Sequence, residues 1–254
     1  PSPRRRSWDL PPLGPPTGAD PRSSSPRVNG TAAFQQAVPE VSCLAACYSA
    51  CQPQQACVEL PIEGVCQGAF TWAWVKAAVT AKEDMSPHKI SSALTAAVAE
   101  LHRAPLGLWQ HPYVQLSAAA RSPNGLEAAS SVRPPLRQIS MPLLASAKRR
   151  KALIIGINYT GSHAQLKGCV NDAWNLHCLL RKVLQFGEGQ VCILTDEKGA
   201  AKTFSSNGGA PIRPTRENIV FGINWLLADA QVGDCLVLAF CGFGAQHPES
   251  PGSD

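Results

Sequence analysis

Three short apolar runs, separated by stretches of helical periodicity, constrain this chain more than any other feature. They are Ala152–Ile157, Gln190–Thr195 and Cys235–Phe240. Each is too short for a buried helix and too uniformly apolar for a strand with one wet face, which predicts strands buried on both sides. Between the first two, Leu176, Leu179, Leu180, Val183 and Leu184 fall on one stripe and predict a helix over about 170–186. Between the second and third, Thr215 has the character of an N-cap, and Ile219, Ile223, Leu226 and Leu227 predict a buried helix face over about 215–230. The alternation specifies a β-α-β-α-β unit, a mostly parallel sheet flanked by helices. Open sheets of this kind place their chemistry at the carboxyl ends of the strands. There, directly after the third run, stands Cys241-Gly242-Phe243-Gly244.

The rest of the chain divides by composition. Residues 1–38 form a Pro/Arg-rich tail with the character of disorder, eight of its prolines lying in the first 30 positions. Residues 39–119 are patterned again: a strand over Glu40–Cys47, an apolar helix over Gly68–Lys76, and a helix over about 87–103. The last starts at Ser86-Pro87 and aligns Ile90, Leu94, Ala97, Val98 and Leu101. Tyr113–Leu116 is a short closing strand. Residues 120–150 are a basic Pro/Ser linker ending in Lys148-Arg149-Arg150-Lys151, and 151–254 are the α/β unit.

The net charge of +5 belongs to the tail and linker. Residues 1–30 hold five Arg against two Asp, and 121–151 hold seven Lys/Arg against one Glu, whereas 31–120 and 152–254 are each −2. No folded face is basic, which argues against nucleic acid as a partner. No apolar run approaches the ~20 residues of a membrane helix, and no apolar signal segment opens the chain, so neither a membrane nor secretion is expected. The amino terminus without Met and the stop after Cys-Gly-Phe-Gly are read as those of a fragment. Ten cysteines without a secreted-type framework fit a reducing, cytoplasmic setting. Five of them (Cys43, Cys47, Cys51, Cys57, Cys66) lie close together but lack paired C-x-x-C knuckles. Buried or incidental thiols are expected there, with a redox or metal-binding module as the alternative, and no metal site is assigned.

Five segments of the carboxyl-terminal half carry a resemblance. KALIIGINY at 151–159, LKGCVND at 166–172, VCILTD at 191–196, RPTRENI at 213–219 and FCGFGAQ at 240–246 stand in the order and spacing found in metacaspases. These are caspase-like cysteine peptidases of plants, fungi and protists, associated with programmed cell death. The resemblance implies a caspase-like (caspase–haemoglobinase) α/β fold and peptide hydrolysis after Arg or Lys. More loosely, Ala45-Ala46-Cys47, Gln54-Gln55-Ala56, Glu59 and Gly68–Ala73 resemble the small-subunit region of the family, which normally follows the large one. The order here is then permuted, as in metacaspases of unicellular algae. A tandem fusion would give the same order, but residues 1–38 contain no D-x-C-H-S-G-like stretch.

The resemblance also says which chemistry is missing. The family's dyad histidine stands in S-G-H-G, and Phe243 occupies that position. A benzyl group accepts no proton. The strand bearing the nucleophilic cysteine, in D-x-C-H-S-G, would lie beyond Asp254, as would the family's Ca2+ ligands and its second pocket acid. Cys241 holds the serine position of the motif and is read as structural. Cys169 and Asp172 match residues lining the pocket for the basic side chain, with Cys241 beside them; the simpler role for Asp172 is charging a helix start. His247 could replace the missing base only by large refolding, since four extended residues span roughly 13 Å. His163 and His177 are expected at the surface. Arg149, Arg150 and Lys151 offer a processing site to an active relative, or are a solvated charge run. The expected partners are peptides or proteins bearing Arg or Lys, and an active metacaspase. As given, the chain is expected to be an inactive homologue or a non-catalytic regulatory partner.

Overall fold

The computed structural model describes residues 45–52, 55–81, 85–102, 110–116, 147–204 and 210–244. The tail at 1–38, most of the linker and His247 lie outside the described residues.

The three apolar runs form one parallel sheet with the first run at its centre, but the third, expected to be buried on both faces, is not: Leu238 is 57 % and Phe240 53 % exposed. The central strand β5 is Arg150–Gly156, with β6 at Val191–Thr195 and β7 at Cys235–Cys241. Ala152, Leu153 and Ile154 of β5 are fully buried and Ile155 nearly so, as a strand paired on both edges and covered on both faces must be. The sequence strand at 190–195 starts one residue late because Glu188–Gln190 is a turn of 3-10 helix.

Helix α3 (Cys169–Cys178) and α4 (Arg216–Leu227) follow β5 and β6. The predicted stripe on α3 is correct but its regular turns end at Cys178. A π-type turn, Leu179–Val183, carries the stripe onward and seats Leu179 and Leu180 against Ala152, Ile154 and Ile193. On α4, the Thr215 hydroxyl accepts from Asn218 N–H at 3.2 Å, the expected N-cap. Leu226 is buried and Ile219 and Ile223 pack on the other sheet face, but Leu227 is 55 % exposed. As the last helical residue it points past the sheet instead of onto it.

Upstream, α1 (Ala69–Thr80) and α2 (Pro87–His102) pack together through Trp72, Ala73, Ala77, Leu94, Ala97 and Val98. The strand expected at 40–47 is instead β1, Ala46–Ser49; residues 40–44 lie outside the described set. It pairs antiparallel with β4 (Tyr113–Leu116) and does not join the parallel sheet. A hairpin, β2 (Glu59–Ile62) and β3 (Val65–Gly68), was not anticipated. Its two-residue turn is Glu63-Gly64 with φ of 55° and 76°. Positive φ at both positions is the geometry that matches strand twist in a tight hairpin.

Candidate active site

The carboxyl ends of β5 and β7 are laced together. The Ile157 N–H donates to the Cys241 carbonyl at 2.9 Å. The Asp196 carboxylate, just past β6, accepts from Asn158 N–H at 2.9 Å and Thr160 N–H at 3.2 Å, fixing the loop after β5. Asn158 in turn offers its side-chain oxygen to Val170 N–H at 3.2 Å, satisfying a donor in the first turn of α3.

Phe243 lies at this edge and is 48 % exposed. Its ring meets that of Tyr159, centroids 5.6 Å apart, and its N–H donates to the Tyr159 hydroxyl at 3.1 Å. Tyr159 itself adopts φ 52°. That is uncommon for a residue with a β-carbon, and here it turns the phenol back over β7. A β-carbon on Gly242 would stand 3.0 Å from that hydroxyl and from the Phe240 ring, so the turn is closely packed here and a side chain would push both aside by a few tenths of an ångström.

Asp172 and Cys169 sit one turn apart at the start of α3, both buried. Asp172 is the acidic residue of the first turn, as its simpler role required, but its carboxylate is spent on another helix. Both oxygens face the Gly68 N–H, at 3.0 and 3.1 Å, and Thr71 bonds to it as well. Gly68 is the N-cap of α1 and has no side chain to cap with, so Asp172 performs the capping from 104 residues away. A β-carbon on Gly68 would lie 2.6 Å from Asp172 Oδ2. Burial lifts the Asp172 carboxyl to about 7, outweighing the hydrogen bonds that favour its charge.

Glu59, from the upstream region, belongs to this cluster although its sequence context gives no sign of it. It accepts from Gly168 N–H at 2.8 Å and Lys167 N–H at 3.0 Å, and from the Cys169 thiol at 3.5 Å. A carboxylate at the amino end of α3 is favoured by the unpaired amides there. Around it, Asn171 bonds the Cys66 carbonyl at 2.8 Å and Asn175 the Gln67 side chain at 2.9 Å. β3 and α3 are therefore joined by side-chain amides along their length.

Three thiols border these acids, and all are pushed toward the protonated form. Cys169 is raised by burial and then by the charges of Glu59 and Asp172. Cys241 is raised to about 12 by burial and then by Asp172, with a Thr71 hydrogen bond opposing. Cys66 is raised by burial and then by Glu59. None of the three is prepared to be a nucleophile, since a reactive thiol needs an electropositive neighbour.

Of the histidines, His163 is exposed as expected. His177 is a correction: it is half-buried against Trp174, ring centroids 5.3 Å apart, and burial followed by Arg181 lowers its pKa. Lys148–Lys151 does not lie in an open linker. Arg150 and Lys151 open β5, and Arg149 bonds the Asp234 carboxylate at 2.9 Å and the carbonyls of Ala228 and Asp229. Lys151 reaches the Trp225 carbonyl at 2.7 Å, and Arg150 the Leu184 carbonyl at 3.1 Å. Among the described residues, no three His, Cys, Asp or Glu side chains converge as a metal site.

The metacaspase, peptidase C14 domain family matches residues 150–254. Metacaspase-1 of Saccharomyces cerevisiae is 40 % identical over 106 residues, which cover 42 % of this chain and 22 % of that protein. Metacaspase-1 of Emericella nidulans is 36 % identical over 106 residues, 42 % of this chain and 24 % of that protein. Metacaspase-1B of Aspergillus terreus is 36 % identical over 110 residues, 43 % of this chain and 27 % of that protein. The chain thus spans about a quarter of the length of these relatives, and the matched stretch is the parallel sheet with α3, α4 and the loop after β7. Residues 150–254, with their α/β sheet, are therefore a caspase-like domain of the metacaspase, peptidase C14 type.

Proposed function

We propose that this chain is a metacaspase homologue that keeps the architecture for recognising a basic side chain and lacks the group that would activate a thiol. The observation that carries this is Phe243, an aromatic side chain stacked on Tyr159 at the carboxyl end of β7, where the family resemblance calls for a histidine. General-base assistance is worth roughly 10²–10⁴-fold, and a cysteine near neutral pH without it is only a few per cent thiolate. On this reading the nucleophile and any calcium ligands are supplied from outside the chain, and the chain by itself hydrolyses nothing. A regulatory pseudopeptidase, binding Arg- or Lys-bearing polypeptides or an active metacaspase in the cytoplasm, is the role that fits.

Two contacts support a permuted order in which residues 39–119 act as the small-subunit region. Glu59 reaches Gly168, and Gly68 reaches Asp172, so the upstream region packs on the helix that follows β5. They also gather two carboxylates at the amino end of α3, a field suited to guanidinium or ammonium groups. Asp172 is 4 % exposed and would act through that field, with Glu59 nearer the surface and Cys169 and Cys241 forming the wall. Processing by an active relative at Arg149–Lys151 would first require β5 to be released.

The test is a fluorogenic peptide with Arg before the cleavable bond, given to the gene product containing this chain and to its Phe243→His variant. No turnover in the unmodified protein and a gain in the variant is expected. Equal turnover in the two would sink the pseudopeptidase reading.

A further inference from the structure

Cys51 and Cys57 stand apart from the site above, on the loop between β1 and β2. Their sulfurs are 3.2 Å apart, and both are free thiols, Cys51 half-buried and Cys57 exposed. The approach is built into the loop. Gln110, only 1 % exposed, donates from Nε2 to the Ala50 carbonyl at 2.9 Å and accepts at Oε1 from Val58 N–H at 3.0 Å. One buried amide thus ties the residue before Cys51 to the residue after Cys57. Inside that neck, Cys51 donates to the Gln55 carbonyl at 3.2 Å. The Gln55 side-chain oxygen accepts from Gln52 N–H at 3.2 Å and His111 N–H at 2.9 Å. A disulfide bond is ~2.05 Å long, so the two sulfurs need to approach by about 1 Å to bond.

We propose that Cys51 and Cys57 are a redox modification site that closes as a reversible intrachain disulfide. With glutathione disulfide as the oxidant, one thiol loses its proton and attacks a glutathione sulfur, expelling one glutathione thiolate. The second cysteine, deprotonated in turn, attacks that mixed disulfide and expels the other. Two protein thiols have then lost two electrons and two protons, and one glutathione disulfide has become two glutathione molecules. A pair on a small, partly exposed loop suits a transient bridge more than a structural one. The bridge would fix the strand-entry limb that delivers Glu59, two residues beyond Cys57, to the amino end of α3.

The full chain is equilibrated with glutathione disulfide or with dithiothreitol, free thiols are blocked with N-ethylmaleimide, and the peptides are mapped by mass spectrometry. The oxidised sample is expected to carry a Cys51–Cys57 link and to lose labelling at both. The reduced sample labels both. Cys47→Ser should retain the link, whereas Cys51→Ser and Cys57→Ser should each leave a glutathione adduct on the remaining thiol. The proposal is overturned if a chain shown by circular dichroism to be folded keeps both thiols alkylatable after oxidation. It is equally overturned if Cys47 proves to be the partner of either.

Discussion

Asp172, on the helix after β5, caps the helix that starts at Gly68, the carboxylate lying 3.0 Å from an amide 104 residues earlier in the chain. Its carboxyl is raised from 3.8 to about 7, chiefly by burial. A folded pKa above the unfolded one means that folding takes up a proton between those values. The linked stability is full below about pH 4, is lost as pH rises toward 7, and is flat above. The rise is worth up to ~4 kcal/mol. Asp172→Asn, which keeps an acceptor for Gly68, should remove most of this slope. Urea unfolding at pH 4.5 and pH 7.5 measures it, and an unchanged slope in the variant would show that Asp172 is not the titrating group.

Gly156 ends β5 against α3, and a β-carbon there would meet the Cys169 carbonyl oxygen at 2.5 Å and Ala173 Cβ at 2.6 Å. Both obstacles are held by the helix and cannot rotate away. Gly156→Ala should cost about 2–3 kcal/mol or more by forcing strand and helix apart. Gly189→Ala, with nothing within 4 Å, should be close to neutral. Thermal melts of the pair test this, and equal stability of the two variants would refute the close packing.

Limited trypsin digestion probes where the folded unit begins. Arg150 and Lys151 are paired with Cys235 and Leu236 of β7, and Arg149 is bonded to Asp234. A protease needs an extended, unpaired stretch, which a central strand does not offer. Cleavage after Arg149, Arg150 or Lys151 should appear only under conditions that unfold the domain. Prompt cuts there in the native protein would mean that β5 opens at its start, reviving an accessible processing site.

Tyr159→Phe removes the hydroxyl that accepts from Phe243 N–H while keeping the ring contact. One such bond at a partly exposed position contributes ~1 kcal/mol at most. The informative readout is local: exchange of the Phe243 amide should quicken, with exchange in the core of β5 unchanged. If Phe243 exchange does not respond, Tyr159 is not holding the turn after β7.

The sheet was legible because β5 and β6 are buried on both faces, so their composition carries the signal without need of periodicity. Periodicity did locate α2, whose Ile90, Leu94 and Val98 recur at helical spacing and are all nearly inaccessible. The β2–β3 hairpin was missed because its strands have four residues each and one of them contains Pro61. The Glu63-Gly64 dipeptide was the cue that could have revealed it. The site was less legible than the fold. Asp172 and Cys169 are singled out by a motif, but nothing local to either segment links Glu59 to Gly168 or Gly68 to Asp172. Those pairings arise only when two distant segments fold together, and the same holds for the turn of Tyr159 onto Phe243.

The position of β7 in the sheet has a practical consequence. Among the described residues it is paired on the β5 side only, and Leu238 and Phe240 are each more than half exposed on it. An unpaired strand edge bearing large apolar side chains is a template for intermolecular pairing. Colloidal behaviour of this polypeptide should be governed by that strip, with self-association rising with concentration. A lysine at position 238 is the simplest remedy for producing it as a monodisperse sample.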